Sequence, residues 1–394
     1  MYYGDKRVEN PIRWAMVGGG VGSQIGYIHR SSALRDFNFQ LVAGAFDIVP
    51  QRGREFGEKL HVAPERCYPD YKTMFAEEAK RPDGIQAVTI ATPNSLHYEV
   101  CKAALEAGLH VVCEKPLCFT SAEAEELEAL AKAKNRVVGV TYGYSGHQMI
   151  QQARQMIKNG DLGEIRVINM SFAFGGYNEK IEDRVPAAKW RFDPSKAGPS
   201  FALGDVGTHP LYIIEAMIPD LEIDSLMCTK RAFVEGRQLE DNAFVIMNLK
   251  GSRSIQAGAQ VYCWASSINC GARHYHKIRV VGSKASLEWD DERPNQMSYE
   301  VEGEPVRILE RGAGYLYDEA RVEDRIGGGH AEGLFEAWAN LYRRFALAMA
   351  DADKGEYSDF WYPDVKAGAQ GIKWIEKCVE SADHGAAWVK YGTT

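Results

Sequence analysis

From residue 12 onward, short apolar runs alternate with longer stretches of helical periodicity. Ile12 to Val17, Phe39 to Asp47, Ala87-Val88-Thr89-Ile90-Ala91, His110-Val111-Val112-Cys113 and Val137 to Tyr142 read as strands. Helical patterns lie between them, over 23–36, 51–60, 70–79, 95–107 and 120–134. The last of these opens on Thr120 and Ser121 with Glu123 close behind, a helix-start signal. Strands and helices alternating at this spacing predict a parallel, doubly wound sheet of Rossmann type.

The pattern changes after about residue 143. A helix over 147–159 is followed by strand-like runs at 164–174, 222–235, 241–249, 253–263, 275–281 and 285–289. Short turns such as Lys250-Gly251-Ser252 and Gly282-Ser283-Lys284 join several of them, which predicts a largely antiparallel second sheet. Helical stretches return at 331–350 and 363–382. The expected division is therefore 1–142 and 143–394, and the fold class is α/β in both parts.

Length and composition add limits. A chain of 394 residues holds two domains of ordinary size. The net charge of -8 argues against nucleic-acid and anionic-membrane partners, which reward a basic surface. No apolar run is long enough for a membrane span, and the first residues lack an apolar signal core. The eight cysteines are scattered, with no Cys-x-x-Cys, so they read as reduced thiols of a cytoplasmic protein and no metal site is expected.

The chemistry starts at Gly18-Gly19-Gly20-Val21-Gly22-Ser23-Gln24-Ile25-Gly26, between the first strand and its helix. Gly18 and Gly20 fit the first two places of G-x-G-x-x-G/A, with Ser23 on the third. Gly20, Gly22 and Gly26 form an alternative register with a longer last spacing. Either way, glycine lets the backbone approach a pyrophosphate, and the helix start turns free N–H groups toward it. Asp47 ends the second strand about 20 residues after Gly26, where an acidic side chain meets a ribose diol. It would repel a 2′-phosphate, so NAD is expected over NADP, although Arg52 and Arg54 act against that preference. The candidate cofactor residues in this part are Gly18, Gly20, Val21, Gly22, Ser23 and Asp47.

Two further segments follow strands, at the sheet edge where open α/β folds bind ligands. Thr92, Pro93 and Asn94 could shape the nicotinamide side, with His97 starting or capping the next helix. Glu114-Lys115-Pro116 follows the next strand. In the second part, Gly204-Asp205-Val206-Gly207-Thr208-His209 sets a carboxylate four positions before an imidazole, on one face if the segment is helical. Taken alone, that pair also fits a capping aspartate and a hydrogen-bonded core histidine. As a site, it would supply a proton acceptor near neutrality with a carboxylate to orient it.

In this order, the glycine loop, the acidic strand end, Ala91-Thr92-Pro93-Asn94, Glu114-Lys115-Pro116 and Gly204 to His209 resemble the Gfo/Idh/MocA family of sugar and inositol dehydrogenases, over nearly the whole chain. The resemblance implies a C-terminal α/β domain with a large open sheet whose outer face makes homodimer or homotetramer contacts. It implies Lys115, Asp205 and His209 as the catalytic residues, a cis bond before Pro116, and Glu114 and Lys115 among the cofactor contacts. Lys189-Trp190-Arg191-Phe192 and Gly328-Gly329-His330 resemble the inositol- and pyranose-oxidising branch. They imply Lys115, Tyr142, Trp190, Arg191, Asp205, His209 and His330 around a small polyol or sugar substrate. Ala331 departs from the proline common at that place. Two other classes share the fold: glycosidases or lyases that retain NAD, and ligand-sensing regulators. The first resemble one another at other sites, and the second tend to lose the lysine that Lys115 supplies here.

Overall fold

The computed structural model describes residues 8–358 and 360–392. The chain packs as two compact units. One comprises residues 8–143 with Leu334–Ile372, the other Tyr144–Gly333 with residues 373–392.

The first unit is built on a five-stranded parallel sheet ordered β2-β1-β3-β4-β5. Its strands are β1 (Ile12–Gly18), β2 (Phe39–Ala45), β3 (Ala87–Ala91), β4 (His110–Cys113) and β5 (Val138–Val140). The connections carry helices α1 (Gln24–Ala33), α2 (Pro50–Lys59), α3 (Tyr71–Glu78), α4 (His97–Glu106) and α5 (Ser121–Lys134). Every residue of β3 and β4 is buried, as a central parallel strand covered on both faces requires. Helix α5 starts in a full capping box, in which Thr120 accepts from the Glu123 backbone and Glu123 reaches back.

A division at 143 would put residues 334–372 with the second unit, but they pack with the first. The reason lies in the helix Leu334–Asp353, whose apolar side joins Trp14, Met16, Phe39 and Phe46 in one core through Trp338, Tyr342 and Phe345. Each such ring contributes on the order of 2 kcal/mol by burial. Polar pins fix the register: the Tyr342 hydroxyl lies 2.7 Å from His29 Nδ1 and 2.9 Å from Thr89 Oγ1, and Trp14 Nε1 donates to Thr89 Oγ1 at 2.9 Å.

The second unit holds a nine-stranded sheet in the order β13-β12-β11-β10-β6-β9-β8-β7-β14. The strands are β6 (Ile165–Ala173), β7 (Ile223–Arg231), β8 (Asn242–Leu249), β9 (Ile255–Ser266), β10 (His276–Gly282), β11 (Ala285–Asp290), β12 (Gln296–Val301), β13 (Arg307–Glu310) and β14 (Val389–Lys390). Among the described residues of this sheet, β6 and β9 pair in parallel and the other pairs are antiparallel. Burial alternates along β10 and β11, with Ile278, Val280, Leu287 and Trp289 turned to the core. The remaining helices of the chain are α6 (Gln148–Asn159), α7 (Pro194–Ala197), α8 (Thr208–Met217), α9 (Asp318–Arg321), α10 (Leu334–Asp353, the long helix above) and α11 (Val365–Asp383). Strands β12, β13 and β14 fall outside the runs that the pattern predicts; β12 and β13, at one edge of the sheet, are largely exposed or half-buried, and β14 has two residues. The alternation Met297, Tyr299, Val301 before the Gly303 turn was the available signal. Among the described residues no disulfide is formed, and no helix is long and apolar enough to cross a membrane.

Candidate active site

The glycine loop leaves β1 with Gly18 and Gly22 at positive φ. A Cβ on Gly20 would lie 2.4 Å from the Phe46 carbonyl oxygen, and one on Gly26 only 2.2 Å from the Gly19 carbonyl oxygen. Ser23 is the N-cap of α1, its hydroxyl accepting from Gly26 N at 3.0 Å. The two sequence registers therefore share the work. Gly18 and Gly20 make the turn, Ser23 caps the helix, and Gly26 lets that helix lie against the loop. Around Gly22 a Cβ would meet nothing within 4 Å, and Val21 is exposed at the loop tip. That leaves open room beside the N-terminus of α1, as a pyrophosphate needs.

Asp47 accepts at Oδ1 from Val49 N (2.8 Å) and from the Arg52 guanidinium (2.7 Å). Burial pushes its pKa up, but these partners outweigh burial and hold it below the usual carboxylate range. Oδ2 takes no hydrogen bond from the described residues, so it is available to a ribose hydroxyl. Arg52, the cation that could favour a 2′-phosphate, is committed to Asp47.

At the ends of β3 and β4 the polar groups are tied together. His97 is fully buried, with Nδ1 2.7 Å from the Pro116 carbonyl oxygen and Nε2 3.0 Å from that of Thr92. Desolvation lowers its pKa. With its single ring hydrogen, neutral His97 donates to one of these two carbonyl oxygens, and its fully buried ring turns neither nitrogen toward a cofactor. This corrects its expected place among the cofactor contacts. Glu114 is held by Thr141 Oγ1 and lies 3.1 Å from His29 Nε2. Burial opposes its charge, but His29, Lys115 and Thr141 together keep its pKa low. Lys115 is half-buried, the Lys115–Pro116 bond is cis, and Tyr142 is buried after β5. Asn94 is buried and Pro93 exposed, while the buried Thr92 hydroxyl has no partner among the described residues. That orphaned hydroxyl, the cradle at Gly22 and the open Oδ2 of Asp47 fit a dinucleotide.

In the second unit, Asp205 lies in a π-helical turn, Leu203–Gly207, that runs into α8 at Thr208. Wide turns of this kind recur at functional sites. Asp205 Oδ2 lies 3.4 Å from Arg191 Nε, and the guanidinium stacks 4.6 Å over the Trp190 ring. His209 is buried near the start of α8, edge-on to Tyr144 at 4.9 Å between centroids. Trp190, Arg191 and Asp205 therefore come together. His330 is exposed on a loop that Arg311 grips through its carbonyl oxygen, and no contact among the described residues joins it to them.

The sequence reading missed the surroundings of His209. Tyr144 packs edge-on to Phe172 (5.7 Å), His274 (5.6 Å) and His276 (4.9 Å). His276 stacks on Phe172, its cross-strand partner, at 4.5 Å. It is fully buried with both ring nitrogens unpartnered among the described residues, and burial pushes it down to about 3. Asp291 accepts from His274 Nδ1 and lies 3.6 Å from His147 Nε2. Burial would raise Asp291, but these imidazoles hold it well below the carboxylate range. The available signal was His274-Tyr275-His276, whose spacing puts both histidines on one face of a strand.

A Rossmann unit with this cradle, followed by an α/β unit with a large sheet, is the build of a two-domain dinucleotide-dependent oxidoreductase. The chain belongs to the Gfo/Idh/MocA oxidoreductase family: the model of its NAD-binding Rossmann fold matches residues 12–142 and that of its C-terminal alpha/beta domain residues 154–391. It is 52% identical to the uncharacterised oxidoreductase YfiI of Bacillus subtilis (strain 168), over 99% of this chain and 100% of that protein. Among solved structures it is similar to an inositol dehydrogenase homologue from Azotobacter vinelandii complexed with NAD+, with 59% identity and a TM-score of 0.96 over 99% of this chain and 100% of that one. A second structure from that organism, complexed with NADH and myo-inositol, matches at 59% identity and a TM-score of 0.93 over 98% of this chain and 100% of that one.

Proposed function

We propose that the protein oxidises a secondary hydroxyl of a cyclic polyol or pyranose, with NAD rather than NADP as its cofactor. The observation that carries this reading is the grouping of Asp205, Arg191 and Trp190 beside the His209 helix, in a chain that also keeps Lys115 on the Glu-Lys-Pro segment. Support for the substrate class comes from the Azotobacter homologue, whose complex contains myo-inositol.

A bound NAD would supply the hydride-accepting chemistry at the substrate carbon. Gly18, Gly20, Gly22, Ser23 and Asp47 would hold its phosphates and ribose, and Thr92 its nicotinamide side. His209 takes the hydroxyl proton as general base. Lys115 steadies the same oxygen as negative charge develops on it. Asp205 orients the site, and Arg191, over the Trp190 ring, presents its guanidinium to ring hydroxyls. His330 belongs to the substrate set through the family resemblance alone. The exposed Phe244 and Tyr262 on the outer face of the sheet support assembly as a homodimer or homotetramer.

NADH formation with a panel of inositols and sugars tests this reading. Wild type should turn over at least one of them, and Lys115→Ala should lose roughly 10²-fold or more. Near-normal turnover in that variant would sink the assignment. Polyol consumption with no net NADH would favour a redox-neutral enzyme that recycles its cofactor.

A further inference from the structure

We infer that His274, held by Asp291, reads a second hydroxyl of the substrate ring, beside the group that His209 deprotonates. This rests on the polyol-dehydrogenase reading above and adds a specificity-determining residue to it.

His274 and His209 share two neighbours. Tyr144 lies 4.9 Å from His209 and 5.6 Å from His274, and Phe172 lies 5.9 Å and 4.7 Å from them. The two imidazoles thus flank one aromatic wall. Within it, His276 is sealed off and neutral, whereas the His274 side chain keeps 35% of its surface exposed.

The His274 imidazole is also aimed. Its Nδ1 is committed to Asp291, a carboxylate that can only accept, so the hydrogen is assigned to Nδ1. Its backbone N–H and that of Tyr275 donate to Glu292 Oε1 at 3.3 and 3.2 Å. The Asp291 backbone in turn donates to the His276 carbonyl oxygen at 3.0 Å. The turn after β11 therefore clamps both the main chain and the ring of His274. Nε2 is the nitrogen left to face a ligand, and its one described partner, the Tyr144 hydroxyl, stands at 3.4 Å, the outer limit of a hydrogen bond. Among the described residues no cluster of three or more His, Cys, Asp or Glu side chains is placed to hold a metal ion. What remains is a carboxylate-oriented, partly exposed imidazole that shares Tyr144 and Phe172 with His209, which suits a hydroxyl that hydrogen-bonds and does not react.

The test is calorimetric binding of myo-inositol and its monodeoxy derivatives to the NADH-loaded full-length protein, alongside NADH formation. His274→Phe keeps the ring packing and removes the nitrogens; His274→Gln returns an amide to the same reach. We expect His274→Phe to weaken myo-inositol binding about tenfold, with kcat falling by a smaller factor and NADH affinity held. His274→Gln should recover part of the loss. One monodeoxy derivative should bind wild type about tenfold more weakly than myo-inositol yet bind His274→Phe as well as myo-inositol does. Unchanged myo-inositol affinity in His274→Phe would overturn the His274 role while leaving the dehydrogenase reading intact wherever wild type forms NADH. Equal penalties for every deoxy derivative in both proteins would overturn it as well. Wild type that neither binds nor oxidises any inositol or sugar of the panel would overturn both.

Discussion

His97 in the first unit and His276 in the second are both fully buried imidazoles with lowered pKa, and they are treated in opposite ways. His97 faces backbone carbonyl oxygens at 2.7 and 3.0 Å, while His276 packs against the rings of Tyr144, Phe172 and Trp289 and its nitrogens have no hydrogen-bond partner among the described residues. The contrast extends outward. In the nucleotide-binding unit, Glu114, Thr141, His29, Tyr342 and Thr89 form a chain of close polar contacts, and glycines abut backbone. Around His209 in the second unit several polar contacts are long, Arg191 to Asp205 at 3.4 Å, Tyr144 to His274 at 3.4 Å and His147 to Asp291 at 3.6 Å, while His274 Nδ1 is held closely by Asp291. The first arrangement makes a cradle of one shape for a ligand whose pyrophosphate and ribose do not vary. The second lines an aromatic wall with polar atoms that a ring of hydroxyls can engage.

The largest expected effect lies where the second unit meets chemistry. If it supplies the base, His209→Ala should lower kcat by about 10²- to 10⁴-fold, the range of a positioned proton acceptor, while NADH affinity, a property of the first unit, stays close to wild type. A matching loss of NADH affinity would break the assignment of roles between the units. Steady-state kinetics with fluorescence titration of NADH reads both quantities.

The cradle is tested next. Gly26→Ala places a methyl 2.2 Å from the Gly19 carbonyl oxygen and 2.5 Å from its Cα, neither of which can swing away. Overpacking of this kind costs about 2–3 kcal/mol, read by urea denaturation. Gly22→Ala meets no atom and bears only its positive φ, about 1 kcal/mol. Equal losses would mean that the loop yields, and that the first unit is less fixed than its contacts imply.

The same contrast governs which features are legible in the sequence. Strands β1 to β5 and the glycine loop announce themselves because their constraints are local: a buried run, a turn, a cap, an acid at a strand end. Asp205 and His209 are four positions apart and equally legible as a pair. Tyr144, Phe172, His274 and Asp291 come from an irregular turn, strand β6, the segment leading into β10 and the turn after β11, brought together by sheet pairing that sets Phe172 opposite His276. No spacing rule encodes that meeting. The domain assignment of residues 334–372 failed for a related reason. The apolar face of α10 is evident from its period, but its partner, a core around Trp14 and Phe39, lies some 300 residues earlier and leaves no mark on the helix itself.

Cofactor choice sharpens the comparison by about one order of magnitude. Asp47→Ser removes the carboxylate that would repel a 2′-phosphate and releases Arg52, whose guanidinium it holds at 2.7 Å. The ratio of kcat/KM for NADP to that for NAD should rise about tenfold. An unchanged ratio would place the choice elsewhere in the cradle.

The smallest effect concerns the sealed histidine. Burial takes His276 from its usual 6.5 down to about 3. Between those values the unfolded chain binds a proton that the folded protein refuses. Stability is therefore undiminished above 6.5 and falls as the pH drops toward 3. Asp291, His274 and His147 face the ring, and Asp291, with its depressed pKa, stays charged through the upper part of that window. His97 and His110, also lowered by burial, add the same slope and do not change between variants. His276→Phe keeps the stack on Phe172 and removes one proton's share, so at about pH 5.5 it should lose roughly 1 kcal/mol less than wild type relative to neutral pH. Parallel urea-denaturation profiles for the two proteins would mean that His276 finds a partner in solution, and that the second unit's polar groups are as satisfied as those of the first.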